Sequence, residues 1–438
     1  MLAMSDTPVN TEKPSEDEIP KKRDTTFSGE VSMGKAISIF PSKPLPKYDR
    51  GPVKAFAATV ETDSASAHYA LVCQNDLMPR LMASRKYASI ESQHLIRLVA
   101  SNVVYWPPAR EERFVYIYED IQAVSLASVI ERKGFLGWKY EEVLHYFIEP
   151  FSDLMFSCRD KGMFHGHMSL DNIFVSDPDG APSKLMLGEC LSTPPSYLTP
   201  AYYLPVERAV TDPIGRGIGR AEDDLYSIGV CIAMLMRHKM PSVQESAREI
   251  ARKKIDIGSY GFNSSGERFS GPAMELLRGL LFDTASQRWT IDELGSWLDG
   301  QRHNVRQIVR SKKASRPIEI AGKSYLNPRY IAEALYDDPE EAARIISDGE
   351  IKQWITRSLE DRKMSDRLDK LLGLPGVMSA KKHTEDRMIA MTSMALSPEA
   401  PIRFQGHNWR PEGISYALAN IMAHGEDYTP FIEIVNNN

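Results

Sequence analysis

The stretch FHGHMSLDNIFVSDPDGAPSKLMLGEC, Phe164–Cys190, decides how the rest of the chain is read. It opens on a His-Gly-His turn (His165, Gly166, His167) and reaches an Asp-Asn pair, Asp171 and Asn172. Ile173-Phe174-Val175 is a β-type run, Asp177-Pro178-Asp179-Gly180 a turn, and Leu185-Met186-Leu187 a second apolar run. Asp-Gly between two apolar runs is a strong hairpin signal, because glycine supplies the positive φ that the tight turn requires.

Upstream of this stretch the chain reads as strands with one helix. Strands are expected at 35–40, 53–60, 68–74, 96–105 and 114–118, with a helix at 79–90 after the third. The proline-rich segment PSKPLPKYDRGP separates the first two strands. From 121 onward the pattern turns helical, with 140–161 the clearest case. There Val143, Phe147, Phe151, Leu154, Met155 and Cys158 recur at helical spacing and define one buried face. A second helix, 223–237, is almost wholly apolar after an acidic start that suits the helix dipole. Further helices are expected at 125–133, 242–253, 272–281 and 291–300. Residues 1–30 carry proline, serine, threonine and mixed charge with few large apolar groups. Such a tail buries too little surface to offset the entropy of ordering. A basic linker, 301–316, precedes a last unit, 317–438. In that unit a strand-like start (317–325), helices at 328–335 and 339–359, and a strand-helix pair at 402–422 are expected. Trp354, Phe404 and Trp409 are read as its core.

The totals exclude several classes. In 438 residues, 42% hydrophobic and 26% charged content is that of an ordinary globular protein with more than one domain. A net charge of −6 does not favour nucleic acid or an anionic membrane as partner. Cys73, Cys158, Cys190 and Cys231 are widely spaced, which points to free thiols in a reducing compartment and not to a disulfide framework or zinc site. The longest apolar run, Ile228–Met236, is half a membrane span. The first residues lack the apolar core of a signal peptide. The expectation is a cytoplasmic protein.

The decisive stretch resembles the catalytic loop and following metal-binding strand of the protein-kinase family, H-R-D-L-x-x-x-N and then D-F-G. His165 and Asn172 match the ends of the first motif, while Gly166 stands at the arginine and His167 at the catalytic aspartate. The D-F-G place reads Leu187-Gly188-Glu189. Other landmarks occur in order. TPAYYLPVER (199–208) resembles the A-P-E segment, with Glu207 as the glutamate. EDDLYSIGV (222–230) resembles the start of the central helix, and its Asp224 would hold the backbone around His165. Arg288 stands where the partner of Glu207 belongs. The resemblance covers about residues 35–300 and extends to the kinase-like proteins of bacteria, whose loops carry similar His-Gly motifs. It implies an α+β, two-lobed protein-kinase-like fold, with a five-stranded small lobe at 31–120 and a helical large lobe at 121–300. The 317–438 unit resembles a small, mostly helical module appended to such proteins.

The same resemblance implies lost chemistry. Phosphoryl transfer is positioning and charge neutralisation, so replaced charges are diagnostic. The phosphate-cradling glycine loop is replaced by PSKPLPKYDRG, in which prolines lack the N–H groups. In HYALVCQ, Val72 stands at the lysine position, leaving Glu91 without that partner. His167 offers no carboxylate beside magnesium, and Leu187 offers a metal no oxygen. Asn172 and Glu189 are the remaining candidates for contact with a nucleotide or its metal. The reading is a pseudokinase that regulates or scaffolds through an unidentified protein partner, with no cofactor, nucleic acid or membrane expected. Two rivals stand beside it: an atypical kinase binding ATP and magnesium, with His167 or Asp171 as base, and an ATP sensor that transfers nothing.

Overall fold

Side chains alternate along a strand, and the alternation in His68–Val72 sets the first layer. Tyr69 and Leu71 turn to one face, Ala70 and Val72 to the other, and both faces are buried. In the computed structural model this strand, β4, lies inside a six-stranded antiparallel sheet. The structure describes residues 29–132, 135–177, 179, 181–237, 245–303, 312–375, 377, 384–429 and 431–432. The sheet comprises β1 (Val31–Met33), β2 (Ile37–Pro44), β3 (Lys54–Val60), β4, β5 (Leu98–Trp106) and β6 (Glu111–Glu119), in the order β1-β2-β3-β4-β6-β5. The strand not foreseen is β1, which pairs three residues with β2 across a tight turn. The helix expected at 79–90 is shorter, a 3-10 turn at Leu81–Ala83 running into α1 (Ser84–Ala88).

The helical half contains α2 (Leu126–Ile130), α3 (Tyr140–Val143), α4 (Glu149–Asp160), α5 (Val206–Ala209), α6 (Ala221–Arg237), α7 (Ala247–Ile257), α8 (Ser259–Ser264), α9 (Gly271–Leu280) and α10 (Ile291–Leu298). The single helix expected at 140–161 is divided by a π turn at Leu144–Ile148. Pro150 explains the division, since it has no N–H to continue the ladder and its ring crowds the preceding turn. Ser246 and Thr290 open α7 and α10 as capping boxes with Glu249 and Glu293. Strands β7 (Val124–Ser125), β8 (Ile173–Val175) and β9 (Leu185–Leu187) form a small sheet, with Ile173 opposite Leu187. The hairpin expected there is present, although Pro178 and Gly180 of its turn lie outside the described residues.

One face of the large sheet and the helical half share a single hydrophobic core. It runs without interruption from Tyr48, Tyr69 and Leu71 through Phe174 and Leu187 to Leu225 and Leu280. The other sheet face has its own layer, including Ile39, Val60, Val72, Trp106 and Ile117.

The last unit begins with the hairpin β10 (Ile318–Ile320) and β11 (Lys323–Tyr325). Helices α11 (Pro328–Asp337), α12 (Pro339–Ser347), α13 (Glu350–Trp354), α14 (Arg362–Leu372) and α15 (Thr384–Leu396) follow around a separate core. The helix expected at 339–359 is therefore broken after Ser347, and α14 and α15 were not anticipated. A hairpin, β12 (Ile402–Phe404) and β13 (His407–Trp409), leads to α16 (Ile414–His424). Trp354, Phe404 and Trp409 are all buried. Ile214 of the helical half packs into the cluster around Trp409, so this unit is fixed to the body. The expected tail, and residues 304–311 of the basic linker, lie outside the described residues. Among those described, no helix is long and apolar enough to cross a membrane.

Candidate functional site

The turn at Phe164–His167 is held from below by α6. Asp224 accepts the His165 N–H and the Gly166 N–H, each at 2.8 Å. Burial nonetheless pushes the Asp224 carboxyl up to about 6, against those two bonds. From the side, Arg80 donates to the carbonyls of Phe164 (2.7 Å), His165 (2.6 Å) and Cys190 (3.2 Å). His165 is fully buried, its Nε2 lies 3.0 Å from the Gly188 carbonyl, and its Nδ1 accepts the His167 N–H. That pattern fixes the neutral tautomer with hydrogen on Nε2, and burial drives the ring's pKa well below its ordinary value.

Asn172 joins the turn to the end of β9. Its amide donates to the carbonyls of His167 and Glu189, both at 3.0 Å. Gly188 is required there by close approach, because a Cβ would stand 2.1 Å from the Asn172 Oδ1. Glu189 is buried and accepts the N–H groups of Leu191 (2.7 Å) and Ser192 (2.9 Å), the Ser192 hydroxyl (2.6 Å) and the Tyr118 hydroxyl (3.4 Å).

The proline-rich segment between β2 and β3 closes over these groups. Arg50 donates from Nη2 to Asn172 Oδ1 at 3.0 Å, sets Nε 3.9 Å from Glu189, and lies over the Phe174 ring. Tyr48, on a 3-10 turn at Pro46–Tyr48, stacks on Tyr69 at 4.1 Å and donates to Asp120. Tyr69 in turn stacks against Tyr118. Tyr48 is fully buried and Arg50 is 7% exposed, so the space between the sheet and the turn is filled with side chains. Neither residue was singled out from the sequence. The available signal was an aromatic and an arginine in a proline-rich loop directly before a strand.

The other sequence candidates sort by position. His167 is buried, with Nε2 3.9 Å from Asp171, and desolvation aided by the Arg50 charge lowers its pKa to about 3. Asp171 is exposed at the rim. Leu187 is buried in β9, and its carbonyl accepts the Ile96 N–H. Val72 does not reach the site: it belongs to the outer layer of the sheet, while Leu71 and Cys73 face inward. Glu91 is exposed and lies beyond the end of α1. Arg288 forms an ion pair with Asp223 at 3.1 Å and donates to the carbonyls of Glu222 and Phe282. Glu207, its expected partner, is near enough for the Arg288 charge to lower its pKa, although burial outweighs this and raises it. Asp223 also pairs with buried Arg208 at 3.5 Å, so one carboxylate serves two guanidinium groups. Lys254 was missed as well. It is fully buried and donates to the carbonyls of Ala201, Tyr202 and Leu204 beneath the TPAYYLP segment. Among the described residues no cluster of His, Cys, Asp or Glu could hold a metal ion.

No family model and no curated protein matches the chain. Among solved structures it is similar to the crystal structure of Rad53 1-466 in complex with AMP-PNP, a protein kinase, with 13% identity and a TM-score of 0.45. The match covers 59% of this chain and 64% of that one.

Proposed function

We propose that the chain is a kinase-like protein without phosphoryl-transfer activity, acting as a regulatory or scaffold protein through contacts with another protein. The observation that carries this reading is the sealed cleft. Tyr48 and Arg50 occupy the space over Asn172 and Glu189 in which a triphosphate and its metal would have to lie. The replacements at the base and metal positions support it. A histidine that gains its proton only near pH 3 is a weak general base at neutral pH, and leucine offers a cation no ligand. The convergence of the His165 turn, Asp224 and the 199–208 segment supports the kinase-like assignment of the body. Four buried free thiols favour a reducing, cytoplasmic setting.

The test is a thermal-shift titration with ATP, with and without magnesium, paired with radiolabel transfer from ATP to a generic protein substrate. Neither shift nor transfer is expected, since only a ligand of the native state raises the melting point. A magnesium-dependent shift with transfer abolished by His167→Ala would establish the atypical kinase instead. A metal-independent shift without transfer would establish the nucleotide sensor.

A further inference from the structure

Helices α4 and α10 face each other across a groove of about 530 Å3. Each contributes a stripe at helical spacing: Glu149, Ser152, Asp153 and Phe156 from α4, and Asp292, Gly295 and Ser296 from α10 with Asp299 at its C-cap. Gly295 lets the helices approach, because a Cβ there would stand 2.9 Å from the Phe156 ring. Phe156 and Leu298 are half-buried and give the groove an apolar floor. Its rim is acidic, with four carboxylates and no lysine or arginine among the lining residues. One neighbouring cation takes up part of that charge: Arg159 pairs with Asp292 at 2.7 Å and lies over one part of the Phe156 ring, 4.9 Å from its centroid, while the His145 ring stands 3.3 Å from Glu149. Asp153 and Asp299 have no ion pair among the described residues. The lining also holds an independent polar feature. Ser152 is 1% exposed, and its hydroxyl has no hydrogen-bond partner, an uncommon condition for a buried donor.

We propose that this groove is a docking site for an extended basic segment of a partner protein. Lysine or arginine stems would lie on Leu298, alongside the Arg159 that already covers Phe156, while their charged heads reach Asp153 and Asp299. The physical basis is the amphipathic nature of those side chains, whose long stems cover apolar surface and whose ends seek carboxylates. The four carboxylates do not form a metal site, consistent with the absence of any metal-competent cluster among the described residues. The inference extends the partner-binding part of the proposed function. It is tested separately from nucleotide binding, because the groove shares no residue with the sealed cleft.

The experiment is fluorescence anisotropy of a labelled peptide of alternating arginine and leucine, titrated with the full chain at low and at physiological salt. The same peptide with glutamate in place of arginine serves as the control. Wild-type protein is expected to bind the basic peptide and not the acidic one. The Asp153→Asn/Asp299→Asn variant is expected to bind at least tenfold more weakly with an unchanged melting point, since both residues are exposed and outside any ion pair among the described residues. A second variant, Glu340→Gln/Glu385→Gln, removes the same charge from another surface and should bind as wild type. Equal weakening by both variants would mean general attraction to an acidic protein and would overturn the proposal. So would unchanged binding in the first variant. Tighter peptide binding after Arg306→Gln/Arg310→Gln would assign the groove to the chain's own basic linker, which also overturns it.

Discussion

Arg50 and Glu189 are the charged pair on which the sealed site turns. A buried carboxylate that loses its cation is costly even when other donors remain, and Glu189 would keep four of them. Arg50→Ala is therefore expected to destabilise the fold by about 3 kcal/mol, at the low end of the range for breaking a buried pair, as read by urea unfolding. His167 gives a pH signature. Its folded pKa, about 3, lies below the ordinary value of 6.5, so the unfolded chain binds more protons between those limits. Stability through this residue is full above pH 6.5 and falls as the pH drops toward 3. Fully buried His165 acts in the same direction. Asp224 acts in the opposite direction, since its raised pKa adds stability as the pH falls from about 6 toward 4. Replacing His167 with glutamine is expected to remove roughly 3 kcal/mol of the acid loss between pH 7 and 4, measured as a flatter curve of melting temperature against pH. An unchanged curve would show that this ring titrates normally.

At the scale of elements, the informative comparison is between what a loop is and where it lies. The sequence showed that PSKPLPKYDRGP lacks the glycines of a phosphate loop, and that the 165–190 stretch forms a turn and a hairpin. It could not show that Tyr48 and Arg50 fold inward, because that depends on packing against residues more than a hundred positions away. Val72 failed for a related reason. The two-residue period sorts β4 into faces, but only the layers on either side decide which face meets the helices. Asp224 was legible only through the resemblance of EDDLYSIGV to the start of a kinase central helix, since the acidic first turn also holds Glu222 and Asp223. Lys254 was not, since a lysine in an amphipathic helix ordinarily faces solvent. Lys254 also makes the element-scale prediction. Lys254→Met would leave the carbonyls of Ala201, Tyr202 and Leu204 without this donor, at a cost of about 3 kcal/mol. Hydrogen exchange should then accelerate first at the 199–208 segment. Uniform acceleration across the chain would mean that the lysine supports the whole body equally.

Across the whole molecule, the continuous core from sheet to helical half means that neither half has a complete interior of its own. Tyr69→Ala in the sheet and Leu280→Ala in α9 should therefore lower the same calorimetric transition, each by about 3 kcal/mol or more. Two separately shifted transitions would show that the halves melt independently. The last unit is joined differently. Asp212 and Asn408 exchange three hydrogen bonds, at 2.6, 2.7 and 3.3 Å, and Arg410 N–H bonds the Gly215 carbonyl at 2.8 Å. Asn408→Ala is expected to speed proteolysis within 401–425 while leaving the main transition within a few degrees of wild type.

The phenols of Tyr48, Tyr69, Tyr87 and Tyr118 meet in the filled space between the halves, and burial raises the pKa of each. In alkaline buffer they stay protonated for as long as water is kept out, while exposed tyrosines ionise first. Ultraviolet absorption of the late-forming phenolate is thus an intrinsic optical gauge of parting, carried by the chain without any label or ligand.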